Sequence, residues 1–465
     1  MSVADATPDL EQVDRNDRAF LGHPKGLGYL GFTEGCERFS YYSMQTLLVL
    51  YMVNYLLVPG RMDKVIGLQW VQAHVYHGIS GQPLASAIFG TYASLVYGTP
   101  ILGGIIADRW LGRDLTLIIG GVLMAIGHFL MAIESAFVFA LIALVLGVGA
   151  FKGNIATQVG ALYGPNDLRR AMAFQIFYIF INVSVIAAPL ISGTLGQKVG
   201  WHYGFGCAGV VMVLGLLLYL SGRKYLPAEE LKGPSEDPAL REPMTRDDWV
   251  CVVYLVILIP VLAVSLLTNQ EIFNAYLVWG DQQFDLTLLN HTSSWLITVD
   301  ATVSFAMLVA VAAFWKWWSI SHREPDEISK MIMGSVFTVA GGLCLFMAAL
   351  TQPAGGKISI FWPMLFELCN SIGFAHVLPI SLALFSKISP KQITATVIGL
   401  YYLSFFIANA VVGYVGGLYS SLPTTTFWLI HVASAAFGLV AFIVFKIAIG
   451  HRMESTPQDQ AKALT

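Results

Sequence analysis

Five ionisable residues stand inside long apolar runs: Glu34, Glu37, Arg38, Lys152 and Asp300. A charge at the centre of a membrane-spanning helix costs roughly 2.5–3.5 kcal/mol even on the lenient insertion scale. Five such groups are therefore expected to face a polar interior and to pair with one another. The densest cluster is Glu34-Gly-Cys-Glu37-Arg38-Phe39-Ser40-Tyr41-Tyr42. Helical spacing puts Glu34, Arg38, Tyr41 and Gln45 on one stripe, with Glu37 beside Arg38. The chemistry this permits is a charge exchange. An arginine keeps neighbouring carboxylates ionised; a solute carboxylate that captures Arg38 strips the glutamates of their counter-charge, and they take a proton. Lys152 supplies a second cation and Asp300 a separate anion, the two poles that a zwitterionic solute needs. Glu271 and Glu367 are further carboxylates inside apolar runs.

The elements that position these groups follow from composition. Of 465 residues only 12% are charged, against ~25% in soluble domains. Hydrophobic residues make up 56% and the mean hydropathy is +0.66. Continuous apolar stretches of about 20 residues cross a ~30 Å hydrocarbon core as helices. The runs do not alternate every second residue, which excludes an outer-membrane barrel. The expected fold class is an all-α membrane protein with twelve spans, near 28–58, 84–107, 114–134, 137–163, 171–193, 203–221, 248–279, 292–318, 329–351, 358–388, 393–419 and 424–449. Pro100, Pro189, Pro260, Pro363 and Pro379 lie inside spans, where bends are expected.

Five segments result. Residues 1–27 form a polar cytoplasmic tail without the apolar core of a signal peptide. A first six-helix bundle covers 28–221, a Pro- and charge-rich cytoplasmic linker 222–247, a second bundle 248–449, and a cytoplasmic tail 450–465. With both termini inside, twenty of the 26 basic residues fall in cytoplasmic segments and four in outer loops. That bias fixes the orientation by the positive-inside rule. Arg38 and Lys152 are the two left within spans.

The net charge of −3 argues against nucleic acid as a partner. The five cysteines lie in apolar runs without C-x-x-C spacing and read as packing residues. Neither H-E-x-x-H nor G-x-S-x-G is present, so no enzyme is expected. His74 and His77, three apart in an outer loop, make a poor metal signal, and no metal is expected. Buried Glu–Arg clusters are poorly suited to rapid conduction, which disfavours a channel.

Six spans, a linker and six more resemble the major facilitator superfamily, in which two halves rock around a midplane site. The loop between spans two and three carries Gly104, Asp108, Arg109, Gly112 and Arg113. It is similar to the superfamily's G-x-x-x-D-R-x-x-G-R motif, whose glycines allow close helix approach and whose charges form a latch. The ExxER run followed by F-x-Y-Y resembles the proton-dependent oligopeptide transporter family, bacterial type. Lys152 in GVGAFKGN, Phe177 to Asn182 as F-Y-x-x-I-N, Pro189, Gly193, Gly200 to Phe205, Lys387 and Pro390 extend the resemblance.

The resemblance implies a secondary active transporter in the bacterial inner membrane, surrounded by lipid and monomeric. It would import di- and tripeptides with protons as the coupling ion and no other cofactor. Arg38 and Lys152 would hold the peptide carboxylate; Tyr41, Tyr42 and Tyr97 would line the pocket; Asn182 would contact the peptide backbone or amino end. Asp300 falls where members carry a polar residue near the amino end, and Tyr401 where many have a pocket tryptophan. Glu34, Glu37, Arg38 and Asp300 would carry proton coupling.

Four positions depart from the family pattern. Gln45 replaces an arginine and Asn269 a glutamate, with Glu271 two places on. The usual salt bridge between the halves is thus not expected, and Gln45–Asn269 or Gln45–Gln270 contacts are expected in its place. Phe374 occupies the place of the span-ten glutamate that binds the amine, while Glu367 lies two turns earlier on roughly the same face. Gly90 stands where some members carry a histidine, so no relay is expected there. A second reading, favoured by Phe374, is a proton-coupled transporter of the same fold adapted to a modified peptide or another small carboxylate.

Overall fold

The computed structural model describes residues 17–164, 167–227, 244–390 and 392–454. Most of the tail 1–27, the middle of the linker 222–247 and the end of the tail 450–465 lie outside the described residues. In chain order the helices are α1 (Lys25–Tyr51), α2 (Leu68–His74), α3 (Gly81–Ile106), α4 (Arg113–Met131), α5 (Phe137–Ala161), α6 (Arg169–Ala188) and α7 (Trp201–Gly222). The second half contains α8 (Arg246–Ser265), α9 (Leu267–Gln270), α10 (Ala275–Gln283), α11 (Trp295–Trp318), α12 (Glu327–Leu350), α13 (Phe361–Ile388), α14 (Thr394–Gly417) and α15 (Thr424–Glu454). Eleven helices among the described residues are long and apolar enough to cross a membrane. α1 makes the twelfth span; its buried charges lower its hydropathy. Helices suit this medium because every backbone polar group is satisfied within the segment. The outward faces carry Leu102, Leu146, Val183, Val309 and Ile447, all exposed apolar side chains suited to lipid.

Two expectations change. The seventh span is not one helix over 248–279. It comprises α8, α9 and α10, with a 3-10 turn over Glu271–Phe273 and a sharp break at Asn274 (φ −121°, ψ −111°). Neither Pro nor Gly marks this break. Asn274 is held instead by tertiary bonds: Ser86 of α3 donates to its Oδ1 at 2.9 Å, and its Nδ2 donates to the Val412 carbonyl of α14 at 3.2 Å. The expected bend at Pro189 takes the form of a π-helical turn over Pro189–Gly193.

Within each half, α1 packs on α7, α4 on α5 and α12 on α13. Between the halves, α3 runs along α14 and α6 lies against α11. Small residues permit the closest approaches, as in other membrane helix pairs. A Cβ on Gly90 would lie 2.3 Å from Gly413 Cα, so this span-two position has no room for a side chain. In the loop motif, the close approach falls on Gly103, whose Cβ would meet the Gly149 carbonyl at 2.0 Å, and not on Gly104, which faces open space. Gly112 has φ +77°, a conformation that favours glycine, and its turn starts α4. Arg113 reaches Asp108 at 3.2 Å beside it.

The end of the molecule where α1 begins and α15 finishes is laced by ion pairs within each half. Arg223 meets Asp114 at 2.5 Å, Lys387 meets Glu327 at 2.7 Å, and Lys330 pairs with Glu324. Asp326 caps α12 by accepting from Ser329 N and pairs with Lys446 at 2.8 Å. Partial burial would raise its carboxyl, but the bonds from Lys446 and Ser329 outweigh that and hold it at about 2.

At the opposite end, hydrogen bonds join the two halves. Asp281 accepts from Asn54 at 3.0 Å and from Gln197 at 3.3 Å; Gln197 also donates to Ser293 at 2.6 Å. Trp295 Nε1 donates to Thr194 at 2.8 Å, and Gln82 donates to the Gly416 carbonyl at 2.9 Å. The molecule is closed at this end, where α1 finishes and α15 begins.

Candidate functional site

The central cluster forms on α1 through its own helical spacing. Glu34 and Glu37 both converge on Arg38 Nε, at 2.9 and 2.6 Å. All three residues are buried. These are ion pairs by distance; Arg38 Nε and Nη2, Glu34 Oε2 and both Glu37 carboxyl oxygens are buried without a hydrogen-bond partner. Tyr41, one turn on, lies beneath the guanidinium: Arg38 Cζ is 5.3 Å from its ring centroid.

Lys152 of α5 completes the cationic pole. Its Nζ is 5.7 Å from the Tyr41 ring and 4.4 Å from the Tyr97 ring. Two cations thus lie within 6 Å of one aromatic ring, and together they attract an anion. Tyr97 of α3 stacks on Phe405 of α14 with centroids 4.9 Å apart, so the ring under the lysine is also a contact between the halves. Tyr42 stands edge-on to Tyr41 and reaches Phe273 of the seventh span at 6.3 Å.

Several expected site residues make their hydrogen bonds within their own half. Asn182 donates to the Tyr178 carbonyl of its own helix at 2.8 Å. Tyr401 is 2% exposed and bonds the Leu378 carbonyl at 3.1 Å and Ser381 at 3.2 Å, inside the packing of the second half. The expected Gln45–Asn269 and Gln45–Gln270 contacts are not formed. Gln45 donates to Tyr41 Oη at 2.6 Å, whereas Gln270 donates to Asn269 and accepts from Asn409. Both longer amides find closer partners on their own side. Asn269 and Phe374 instead line one small cavity with Ser265, Thr338 and Asn370, inside the second half.

The anionic pole lies in the second half. Asp300 of α11 and Glu367 of α13 lie within electrostatic reach of one another. Glu367 is fully buried, not frayed at a helix end, and accepts from Tyr276 Oη at 2.7 Å. One oxygen on each acid, Asp300 Oδ1 and Glu367 Oε2, is buried without a hydrogen-bond partner. Glu271 also stays within its own half: its Oε1 accepts from Ala275 N at 3.0 Å and its Oε2 faces His431 Nε2 at 3.4 Å.

Tyr276 and Phe405 beside the site, and His431 beside Glu271, are therefore groups that sequence reasoning missed. Tyr276 and Phe405 read as ordinary aromatics of apolar spans. His431 is a lone histidine in span twelve without a nearby charge in the sequence. His376 donates through Nδ1 to the Ile372 carbonyl at 2.9 Å and accepts from Trp315 Nε1 at 3.2 Å.

Comparison with known proteins adds to this geometry. Residues 38–413 match the profile of the Major Facilitator Superfamily. The chain is 28% identical to the transporter YclF of Bacillus subtilis, over 91% of this chain and 94% of that protein. It is 27% identical to the di-/tripeptide transporter of Lactococcus lactis subsp. cremoris, over 94% and 98%. A crystal structure of a variant of the peptide transporter POT in complex with alafosfalin superposes with a TM-score of 0.79 at 26% identity, covering 93% of this chain and 96% of that one.

Proposed function

The chain belongs to the major facilitator superfamily and, within it, to the proton-dependent oligopeptide transporter family, and on that premise we propose that it imports di- and tripeptides together with protons by alternating access. It is a membrane transporter and not an enzyme. The observation that carries the reading is the cationic pole: Arg38 is held by two glutamates through one nitrogen, leaving Nη2 unpartnered near Lys152. In this reading a peptide carboxylate docks on Arg38 Nη2 and Lys152 Nζ, over the rings of Tyr41 and Tyr97. The guanidinium is drawn from Glu34 and Glu37, and the freed carboxylates take the coupling proton. Tyr42 flanks the peptide, and Asn182 and Tyr401 approach it in other states of the cycle. Asp300, with Glu367, receives the peptide amine.

The bundles 28–221 and 248–449 are the two rocking bodies, joined by the linker 222–247. Both termini face the cytoplasm of a bacterial cell, the protein is a monomer among inner-membrane lipids, and the structure corresponds to the state closed toward the outside. A ligand that spans Arg38 on one half and Asp300 on the other favours closure, because only a closed state offers both contacts.

The test is uptake of a radiolabelled dipeptide into proteoliposomes under an inward proton gradient. Arg38→Ala and Lys152→Ala are expected to abolish driven uptake. Normal driven uptake in both would overturn the scheme. A second reading rests on Phe374 and on the engagement of Glu367 with Tyr276: the substrate is an N-blocked peptide or another small carboxylate. Stronger competition by N-acetylated than by free dipeptides would favour it.

A further inference from the structure

The pair Glu271–His431 has no part in the scheme above. Both side chains are 0% exposed and lie near the closed end, between α14, α15 and the broken seventh span. His431 Nδ1 contacts the Phe427 carbonyl at 3.1 Å, and its Nε2 faces Glu271 Oε2 at 3.4 Å. A carbonyl only accepts, so Nδ1 must carry a hydrogen to satisfy that contact. With a neutral ring, Nε2 then presents a lone pair to a carboxylate lone pair. The other neutral tautomer satisfies Glu271 but turns the Nδ1 lone pair on the Phe427 carbonyl. Neutral histidine with ionised glutamate therefore leaves one acceptor–acceptor contact in either form. His376 is the internal control: its Nδ1 bonds the carbonyl four residues back in the same way, but its Nε2 meets the Trp315 indole donor, and the neutral ring is satisfied.

One additional proton between Nε2 and Oε2 removes the conflict. No lysine or arginine is paired with Glu271 among the described residues. The titratable neighbours are otherwise engaged: Tyr276 donates to Glu367 and Tyr419 to Gln282, while Tyr42 packs by Phe273. The facing groups of α3, Gln82 and Ser86, are neutral, and α14 presents Gly416, whose Cβ would lie 2.6 Å from Glu271 Oε1 and 2.0 Å from Asn274 Nδ2.

We propose that Glu271 and His431 form a proton-binding latch that holds closed the end where α1 finishes and α15 begins. The mechanical link is short. Glu271 Oε1 accepts the N–H of Ala275 at the start of α10, and the preceding residue, Asn274, crosses to Ser86 on the other half. Removal of the proton leaves two buried lone pairs opposed, and the arrangement that positions Asn274 is lost. Closure therefore takes up a proton, and the ratio of closed to open forms falls by up to about tenfold per pH unit as pH rises.

The experiment needs no substrate, so it stands or falls apart from the peptide-transport reading. Spin labels on Val58→Cys and Leu288→Cys, with the five native cysteines exchanged for serine, report the gap between the halves at the closed end by pulsed electron resonance. The full chain is measured in lipid nanodiscs from pH 5 to 9. The long-distance population is expected to grow with pH in this background. With Glu271→Gln, whose amide donates to a neutral His431 without a titrating proton, the closed distance is expected to persist at every pH. His431→Gln supplies the same test if the first variant fails to fold. A gap independent of pH before substitution, or the same pH dependence after either substitution, would overturn the proposal.

Discussion

Gly90→Ala tests how tightly the two halves must meet. The added Cβ would lie 2.3 Å from Gly413 Cα, 2.6 Å from Gly413 N and 2.7 Å from the Asn409 carbonyl. These are backbone atoms, so no rotamer change relieves the clash. Restoring ordinary contact requires α3 and α14 to part by at least about 1 Å. Overpacking of this kind costs about 1–3 kcal/mol. The cost falls on the state in which these helices touch, which shifts the equilibrium between states by about 5- to 150-fold. The variant is expected to fold, because each half keeps its own packing, but to populate the closed form less. Dipeptide-driven exchange and gradient-driven uptake in proteoliposomes, together with the label distance described above, read the shift. Wild-type uptake with an unchanged distance distribution would refute the argument that this contact limits closure.

Other substitutions probe separate features. Asp281→Ala removes the acceptor shared by Asn54 and Gln197 across the halves. At about 1–1.4 kcal/mol for such partly exposed bonds, the closed form should lose roughly five- to tenfold in the same distance measurement. Gly112→Ala forces a side chain onto φ +77° and should lower thermal stability by about 1 kcal/mol or more, read as a lower Tm in detergent. Asp326 is held below its ordinary 3.8 at about 2, so its contribution is present above about pH 4 and is lost as pH falls toward 2. Asp326→Asn should therefore lower Tm at pH 6 and flatten its fall over that acid window; an equally steep fall would refute the assignment.

What could be read from the sequence was what one helix fixes by itself. Glu34, Arg38 and Tyr41 meet because helical spacing alone brings them together. Lys152 was marked by its isolation in an apolar run, although its seat over Tyr97 needs α3 and α5 to cross. Contacts between distant spans left no such sign. Asp300 and Glu367 join across 67 positions, and Glu271 meets His431 across 160, each by helix packing. The break at Asn274 carries no Pro or Gly because its cause is a pair of hydrogen bonds to other spans. Gly103 and Gly104 are indistinguishable in a motif, and the rotation of α3 decides which one meets α5.

The charged first span has a consequence for biogenesis. α1 is absent from the eleven helices apolar enough to cross by composition. Three ionised groups near its middle would cost on the order of 8–10 kcal/mol if it entered lipid alone. Its residence there depends on Arg38 meeting both glutamates and on α6 and α7 closing around it. The residues assigned to substrate and proton thus also burden insertion of the newly made chain. Arg38→Ala would leave two carboxylates without their counter-charge, so the yield of assembled protein in the membrane must be measured beside transport before a loss of uptake is read as a loss of binding.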